Sequence, residues 1–453
     1  MRSANSIMLK RRKVSLQIFT ALALFTSPTL FAQDNSPYSQ YGLGDLVPNT
    51  NIVNRGMGGI SAGFAEFLSV NFNNPASYSA FQSIIEQKTG KAVSGRVLLD
   101  VGLNIENRTL RSPNQVAKFS TSNALFSYVQ VGIPLRKNWG LSFGLKPVSR
   151  ISYKIQQDKR TAIDSILTEN TGEGGSYLPS IGTGFRIGNL SLGANLGYLF
   201  GRRENSIKIG FANDSVSYNN GGRTITSSFG DVFFNAGAQY KIDLSKQTLL
   251  RLGASGNIKQ TLKGTQDFKE ETFVRGTDGS DQQLDSVSER TGLPGEVIYP
   301  SSATFGFVLE NGLEPGQRNW MIGADVIYNK WEDYRFFGSA DKVKNNWQLR
   351  AGGQYRPKSG RSYLSNVAYR AGFSTGTDYI TAGGDLPTWS ATAGLGLPIA
   401  NYNRLSPNQF SLVNLAFEYN RRGNDQNLLK ENVFRLSLGF SFSDLWFTKR
   451  KYD

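Results

Sequence analysis

Apolar residues recur at every second position in segment after segment, from about residue 96 to the end of the chain. A period of two is typical of β-strands that have one apolar and one polar face. In one segment the apolar positions are Leu190, Leu192, Ala194, Leu196, Tyr198 and Phe200, and they alternate with Ser191, Gly193, Asn195 and Gly197. The pattern predicts an all-β protein.

The alternating segments number about fourteen, and each has the length of a strand in a membrane barrel. They are expected at residues 96–106, 123–134, 139–153, 177–187, 190–201, 230–242, 249–262, 301–310, 319–330, 346–356, 364–374, 388–398, 409–421 and 432–443. The connections alternate between short ones, such as Gly188-Asn189, and long ones at 107–122, 154–176, 202–229 and 263–300. A soluble β-sandwich has no reason to sort its connections in this way, whereas a transmembrane barrel has short periplasmic turns and long external loops. Residues 91–453 are therefore predicted to form a transmembrane antiparallel β-barrel of about 14 strands.

Residues 33–90 do not follow the barrel pattern, because they are dense in Gly, Asn, Pro and Ser. A barrel of about fourteen strands is wide enough to need filling, so these residues are predicted to form an N-terminal plug in the lumen. The alternative is a periplasmic tail. Aromatic residues such as Phe64 and Phe72 favour the plug, since they need a surface to pack against.

The N-terminus has the order of a secretory signal peptide. A basic segment, Lys10 to Lys13, precedes an apolar stretch from Val14 to Leu30, and Ala32 is a suitable residue for cleavage. Residues 1–32 are accordingly predicted to be removed on export, with an uncleaved membrane anchor as the alternative. Together with the barrel, this predicts location in the outer membrane of a Gram-negative bacterium, in contact with its lipid.

The chain contains no histidine and no cysteine. Ser-His-Asp triads, histidine metal sites and disulfide frameworks are therefore excluded, and no cofactor or metal is expected. Gly59 to Gly63 matches the G-x-S-x-G nucleophile pattern, but its serine has no histidine base, so the protein is not expected to be an enzyme. Asp278, Asp281 and Asp285 miss the spacing of an EF-hand loop. The 50 basic residues are scattered along an exported chain and do not indicate nucleic acid binding.

The segments Arg55 to Gly63 and Asn73-Asn74-Pro75-Ala76, followed by a fourteen-strand pattern, resemble the long-chain fatty-acid transporter family (FadL/TodX-like) of outer-membrane proteins. The ends of the chain, such as Ser36-Pro37-Tyr38, indicate a divergent subgroup. The resemblance implies a luminal hatch that includes Gly56, Gly58, Gly59, Asn74, Pro75 and Ala76. It also implies passive uptake of hydrophobic small molecules such as long-chain fatty acids or aromatic hydrocarbons.

In that family the ligand is thought to leave sideways, where the third strand bends inward. The third strand here contains Gly144 and Pro147, and proline lacks the donor that a β-ladder needs. These two residues are candidates for a kink beside a lateral opening. A bulge that merely curves the barrel is the alternative.

Basic residues fall on the faces expected to line the lumen. They can contact an anionic head group, or they can pair with luminal acids such as Asp100, Asp231, Asp325 and Glu418 or hold the plug in place. The candidates for head-group contact are Arg150, Arg251, Arg350, Arg370 and Arg435.

Two functions remain open at this point. The first is an outer-membrane channel for passive uptake of hydrophobic molecules through a plugged barrel with a lateral opening. The second is a barrel that does not transport and acts as a scaffold or subunit of an outer-membrane protein assembly, with envelope proteins as partners. An apolar luminal route to a gap beside Pro147 favours the first, and a large exposed apolar patch favours the second.

Overall fold

The structure is a computed structural model that describes residues 36–85, 92–113, 118–161, 164–211, 218–276, 280–312, 317–400 and 410–446. The predicted signal peptide, residues 1–32, lies outside these ranges. Asp278 of the longest predicted loop lies outside them as well.

The described residues form one sheet of 19 strands. Its strands are β1 (Asp45–Leu46), β2 (Ser83–Ile85), β3 (Ala92–Arg111), β4 (Lys118–Arg136), β5 (Trp139–Arg160), β6 (Ser165–Ile187), β7 (Leu190–Phe211), β8 (Asn220–Asp243), β9 (Thr248–Asn257), β10 (Gln260–Arg275), β11 (Asp281–Tyr299), β12 (Ser302–Asn311), β13 (Asn319–Asn329), β14 (Arg335–Phe336), β15 (Asn346–Arg356), β16 (Ala368–Thr377), β17 (Pro387–Ala400), β18 (Phe410–Arg422) and β19 (Lys430–Trp446).

These strands make a closed antiparallel barrel with 14 positions in its wall. Each position is filled by one strand or by two strands end to end, and is here called a stave. Strands β9 and β10 are two halves of the seventh stave, β11 and β12 are two halves of the eighth, and β1, β2 and β14 are short additions. The last strand, β19, pairs with the first, β3, along its whole length, from Lys430 opposite Arg111 to Trp446 opposite Gly95. Closure removes the free edges that a sheet cannot leave in lipid. The predicted all-β barrel of about 14 strands is confirmed.

The two faces of the wall follow the alternation in the sequence. Large apolar side chains point outward and are half exposed, among them Ile181 (51%), Phe305 (61%) and Phe434 (60%). The inward face carries polar and glycine residues that pack against the plug. An apolar belt on the outside of a closed barrel is the surface that a bilayer covers.

One end of the barrel has tight turns, and the other has tall hairpins. At the turn end, two-residue connections join β4 to β5 and β6 to β7. The stretches 154–176, 202–229 and 263–300, expected as loops, consist largely of strands that continue β5 to β8 and β9 to β12 beyond the belt. The alternation fades there because both faces of these extensions meet water, so neither face needs to be apolar.

Residues 36–85, here called the plug, lie inside the barrel. They contain a short α-helix, α1 (Ile52–Arg55), and 3-10 helices at Pro37–Gln40 and Pro75–Ala80. Further 3-10 helices, Trp331–Asp333 and Tyr363–Asn366, lie in connections of the barrel. Met57, Ile60 and Phe64 of the plug are fully buried against Val308 and Met321 of the wall.

Among the described residues, no helix has the length and apolar character needed to cross a bilayer.

Candidate functional site

The luminal wall carries glycines where the plug backbone touches it. A Cβ atom at Gly193 would collide with Pro75 and Ala76, one at Gly253 with Ala62, and one at Gly372 with Gly58. Further glycines face the plug backbone in the same way, namely Gly140, Gly184 and Gly352. Because these residues belong to six different staves of the wall, the plug contacts the barrel backbone around much of its circumference.

Side-chain amides and carboxylates satisfy the irregular backbone of the plug. Asn74 caps the 3-10 helix at the Ala76 nitrogen and donates to the carbonyl oxygens of Ala62, Ala238 and Ala254. The carboxylate of Asp325 on β13 accepts hydrogen bonds from the Ser61 and Ala62 backbone nitrogens. A buried loop without such partners would carry unpaired donors, so these contacts fix the plug.

Arg55, at the end of α1, joins the plug to three strands of the wall. Its guanidinium donates to Asn104 (2.6 Å), Ser437 (3.1 Å) and Ser127 (3.3 Å) of the barrel, and to the backbone oxygens of Pro48 (3.1 Å) and Thr50 (2.9 Å). All five acceptors are neutral oxygen atoms. Burial, with a smaller contribution from Arg435, lowers the pKa of Arg55 to about 10.

Glu66 joins the plug to β15 through an ion pair with Arg356. Burial alone would raise the pKa of Glu66, but Arg356 and Arg370 outweigh burial and hold that pKa below the ordinary 4.5. A carboxylate with a lowered pKa in the folded state stabilises that state at pH values above its unfolded pKa, and this contribution is lost as the pH falls.

Replacement Glu66→Gln is expected to destabilise the plug by about 1.5–3 kcal/mol at neutral pH, the usual contribution of a hydrogen bond to a charged group. The difference from the native protein should shrink as the pH falls below 4.5, because Glu66 then becomes protonated in the native protein too. Thermal unfolding of the purified barrel in detergent at several pH values measures both effects. A difference that stays constant down to pH 3 would contradict this assignment.

The pairing between β4 and β5 stops part-way up the wall. Register partners run from Arg136 opposite Trp139 to Val129 opposite Leu145, and β5 then continues to Arg160 without β4, while its pairing with β6 goes on. The pairing ends at Gly144 to Pro147, and the β5–β6 register shifts between Pro147 and Ser149. The β4–β5 ladder therefore ends beside Gly144 and Pro147, and a lateral opening at these residues stays a prediction. This break is here called the first seam.

The first segment of the plug, residues 36–48, covers the first seam and is here called the strap. Its strand β1 pairs antiparallel with β5, Asp45 opposite Arg150 and Leu46 opposite Ser149. The Val47 nitrogen donates to Val148, and the Ser36 nitrogen donates to Ser152. The strap therefore takes the place of β4 along the upper part of β5, while Arg150 donates across the seam to the Phe126 oxygen.

A cluster of largely buried charged side chains fastens the strap to β3, β18 and β19 of the wall. Arg422 contacts Asp45 (3.3 Å), Asp378 (2.9 Å) and Glu431 (3.3 Å), and Arg108 contacts Asp45 (2.5 Å) and Glu431 (3.0 Å). Three carboxylates thus share two guanidinium groups. Tyr38 and Ser36 of the strap add to the cluster, since Tyr38 stacks on Arg422 and Ser36 donates to Glu431.

A cavity of about 390 Å³ lies between the strap, the plug and the wall. Its apolar lining residues include Pro147, Val148, Leu178, Leu199, Phe233 and Trp331, and the same part of the wall also contributes the polar residues Lys146, Ser180, Asn195 and Asn235. Across the barrel, Arg350, Glu418 and Arg435 provide a polar side. The lining is therefore mixed, and its apolar residues begin with Pro147 and Val148 at the first seam.

The predicted luminal arginines differ in their contacts. Arg435 pairs with Glu106 (2.7 Å) and Glu418 (2.6 Å), and Arg370 donates to Gln354 and Asn414. Arg350 donates to the plug oxygen of Gly59, and Arg251 donates to that of Gly63. Of the predicted set, Arg350 and Arg435 line the cavity.

The predicted hatch residues lie together in the plug. Gly58 and Gly59 have positive φ angles of 70° and 85°, and Gly56 ends α1. Asn74, Pro75 and Ala76 form the start of the second 3-10 helix, against β6, β7 and β8. The sequence pattern gave no role to Arg55, Glu66 or the charges around Arg422. Their partners lie on strands far away in the sequence, so the contacts produce no characteristic residue spacing.

Other candidate chemistry has structural partners. Ser61, at the centre of the G-x-S-x-G match, is buried and hydrogen bonded to Asp325. Asp281 of the predicted acidic loop pairs with Arg275 and Lys208. Within the described residues, no group of three or more acidic side chains is arranged to hold a metal ion.

A model of the BamG protein family matches residues 12–453. The chain belongs to the BamG family. No curated protein matches this BamG-family chain significantly.

Solved structures similar to this BamG-family barrel include hydrocarbon transporters. A Pseudomonas aeruginosa FadL homologue is 14% identical, with a TM-score of 0.50, and the match covers 90% of this chain and 100% of that one. The Ralstonia pickettii toluene transporter TbuX is 13% identical (TM-score 0.50; 88% and 99% covered). The Pseudomonas putida toluene transporter TodX is 14% identical (TM-score 0.53; 88% and 99% covered). At these identities the likeness concerns the fold, so the chain is a BamG-family protein with a divergent FadL-like fold.

Proposed function

We propose that this protein is an outer-membrane channel for passive uptake of hydrophobic small molecules, with the hairpin end facing outward. The observation that carries the proposal is the luminal cavity with its mixed polar and apolar lining, which reaches the first seam at Pro147 and Val148. A hydrophobic molecule in this cavity is separated from the bilayer at the seam by the strap and not by a continuous ladder of strands.

Lateral release then requires the strap to leave β5. Its pairing with β5 is short, two register pairs and a few flanking hydrogen bonds, whereas β5 pairs with β6 over more than twenty residues. Two solved structures with this fold, TbuX and TodX, are named toluene transporters. For the present chain, long-chain fatty acids and aromatic hydrocarbons are the proposed cargo.

The polar side of the cavity suits a ligand with a polar end. Arg350 lies there and is bonded to the neutral oxygens of Gly59 and Gln348. A carboxylate could replace these weaker partners, because ion-assisted hydrogen bonds are the stronger ones. Arg435 already has two carboxylates and is a poorer candidate.

Uptake assays test the channel. A deletion strain is expected to take up labelled fatty acid or toluene more slowly than the parent strain. Replacement Pro147→Val supplies a backbone donor at the first seam, so β5 can pair further with β4, and uptake should fall about fivefold, which corresponds to one added hydrogen bond. Pro294→Val, at an exposed position of the β11 hairpin, is the matched control and should leave uptake unchanged.

Unchanged uptake of every substrate in the deletion strain would rule out the channel. The protein would then fit the second candidate function, a scaffold or subunit of an outer-membrane protein assembly. The tall hairpins favour it, because they expose apolar side chains beyond the barrel, including Ile207, Ile209, Leu284 and Val287. Exposed apolar groups of this kind commonly mark protein contact surfaces. Co-purification of envelope proteins that is lost when residues 265–293 are shortened would support this function.

A further inference from the structure

The barrel wall has a second break, between β8 and the seventh stave. Strand β8 pairs with β10 from Asn220 to Phe229 and with β9 from Ala236 to Asp243. Within the described sheet, residues 230–235 of β8 have no register partner on that side. This stretch is here called the second seam.

The second seam arises because two adjacent staves are interrupted at the same height. The seventh stave stops at Asn257 and resumes at Gln260, and the eighth stops at Tyr299 and resumes at Ser302, across Pro300. Proline cannot donate to a ladder, so it belongs at such a break. The Asn257 side chain donates to the Pro300 oxygen (2.8 Å) and holds the two interruptions together.

The side chain of Gln260 closes the second seam. Its Oε1 accepts from the Phe234 nitrogen (2.8 Å), and its Nε2 donates to the Phe234 oxygen (3.3 Å). One amide side chain therefore replaces, for a single residue, the paired bonds that a neighbouring strand normally provides. Within the described sheet, the other residues of 230–235 have no strand partner on this side.

The second seam lies between the cavity and the outside of the barrel. On the outer face, Val232, Phe234 and Ile258 are 55%, 41% and 68% exposed. On the inner face, Phe233, Asn235 and Tyr299 line the cavity, and the first two belong to the unpaired stretch itself. Phe234 is nine residues from the turn end of β8, about 30 Å along the strand, so the seam lies near the outer edge of the apolar belt.

We propose that the second seam is a lateral window through which a hydrocarbon chain passes between the luminal cavity and the bilayer, with Gln260 as its latch. This proposal rests on the proposed channel function only for the direction in which cargo moves. The break in the ladder is a feature of the barrel wall itself. Opening requires the loss of the two Gln260 bonds and the displacement of Phe233, whose ring packs edge-on against Tyr299 on the luminal side of the seam. The first seam, in contrast, opens only when the strap and its buried charges move.

Single-cysteine variants test the window cleanly, because the chain contains no native cysteine. Asn235→Cys places a thiol at the inner side of the second seam, and Ser374→Cys places one in the cavity on the far wall. Full-length protein in proteoliposomes is treated either with N-hexadecylmaleimide dissolved in the bilayer or with a short water-soluble maleimide. The first reagent reaches the lumen from the bilayer, and the second reaches it from water.

Replacement Gln260→Ala is expected to speed labelling of Asn235→Cys by the bilayer reagent at least about fivefold, since one hydrogen bond accounts for about that factor and two are lost. The Ser374→Cys protein and the water-soluble reagent should show no change. Gln266→Ala is the matched control, because Gln266 lies on the same strand, where the ladder with β8 is continuous, and donates to Ser227.

Equal rates in the Gln260→Ala and Gln266→Ala proteins would overturn the window. Acceleration of both cysteine positions would also overturn it, because that result indicates a loosened barrel. Gln260→Leu, which keeps the size of the side chain and loses its bonds, should reproduce the effect if Gln260→Ala folds poorly. Labelling does not depend on uptake, so the window and the channel can fail separately.

Discussion

Replacement of Arg422 by methionine is expected to release the strap from the barrel. Arg422 contacts three carboxylates, Asp45, Asp378 and Glu431, and supports the Tyr38 ring. Without it, Arg108 alone would bridge Asp45 and Glu431, and the repulsion between these two carboxylates would be less well compensated. Removal of one partner from a buried ionic group typically costs about 3–5 kcal/mol.

Hydrogen exchange of the strap amides measures this effect. A loss of about 3–5 kcal/mol corresponds to exchange at residues 36–48 that is at least a hundredfold faster. Residues 148–152 of β5 should exchange faster as well, because they lose their pairing with the strap. Arg421→Met is the matched control, since Arg421 is the next residue on β18 and lies on the opposite face of the strand. Strap exchange equal to that of the control would show that the cluster does not hold the strap.

Replacement of Arg55 by methionine is expected to be comparably damaging to the plug. The substitution would remove five hydrogen bonds and would leave the backbone oxygens of Pro48 and Thr50 without this donor, while the Asn104 oxygen would keep only its bond from Ser437. A buried acceptor left unpaired costs roughly 1–3 kcal/mol, so a total of about 3 kcal/mol or more is expected even where water replaces some bonds.

The thermal midpoint of unfolding in detergent should fall clearly for Arg55→Met and less for Arg55→Lys, which keeps the charge and loses the planar fork. Arg361→Met, at an exposed position, is the control. A midpoint for Arg55→Met within the error of that control would contradict the role assigned to Arg55.

The sequence pattern predicted the barrel well because each stave must present an apolar face to its surroundings. Leu196 and Tyr198, which the alternation places on the apolar face, are exposed on the outside of the barrel. The pattern failed above the belt, where β10 and β11 continue as strands that expose both faces to water. Alternation reports a difference between two environments, and it vanishes where the environments are alike.

The luminal site was predictable only in part. Glycine-rich and asparagine-rich segments indicated the plug, and Pro147 indicated a place where pairing stops. The contacts that fasten the strap join Asp45 to Arg422, which are 377 positions apart, and no spacing in one sequence reveals such a pair. Gln260 was equally hidden, because a glutamine that replaces a ladder bond looks like any other polar residue on a strand.

The luminal glycines have a consequence for how the barrel moves. At Gly193, Gly253 and Gly372 the plug backbone lies so close to the wall that a Cβ atom would not fit. Neighbouring residues of the wall carry Cβ atoms. The same contact therefore has no room one step higher or lower along the wall. A piston-like displacement of the plug along the barrel axis would bring its backbone against those Cβ atoms. The plug is therefore expected to stay fixed along the barrel axis. Any movement must then be confined to short segments at its edge, such as the strap.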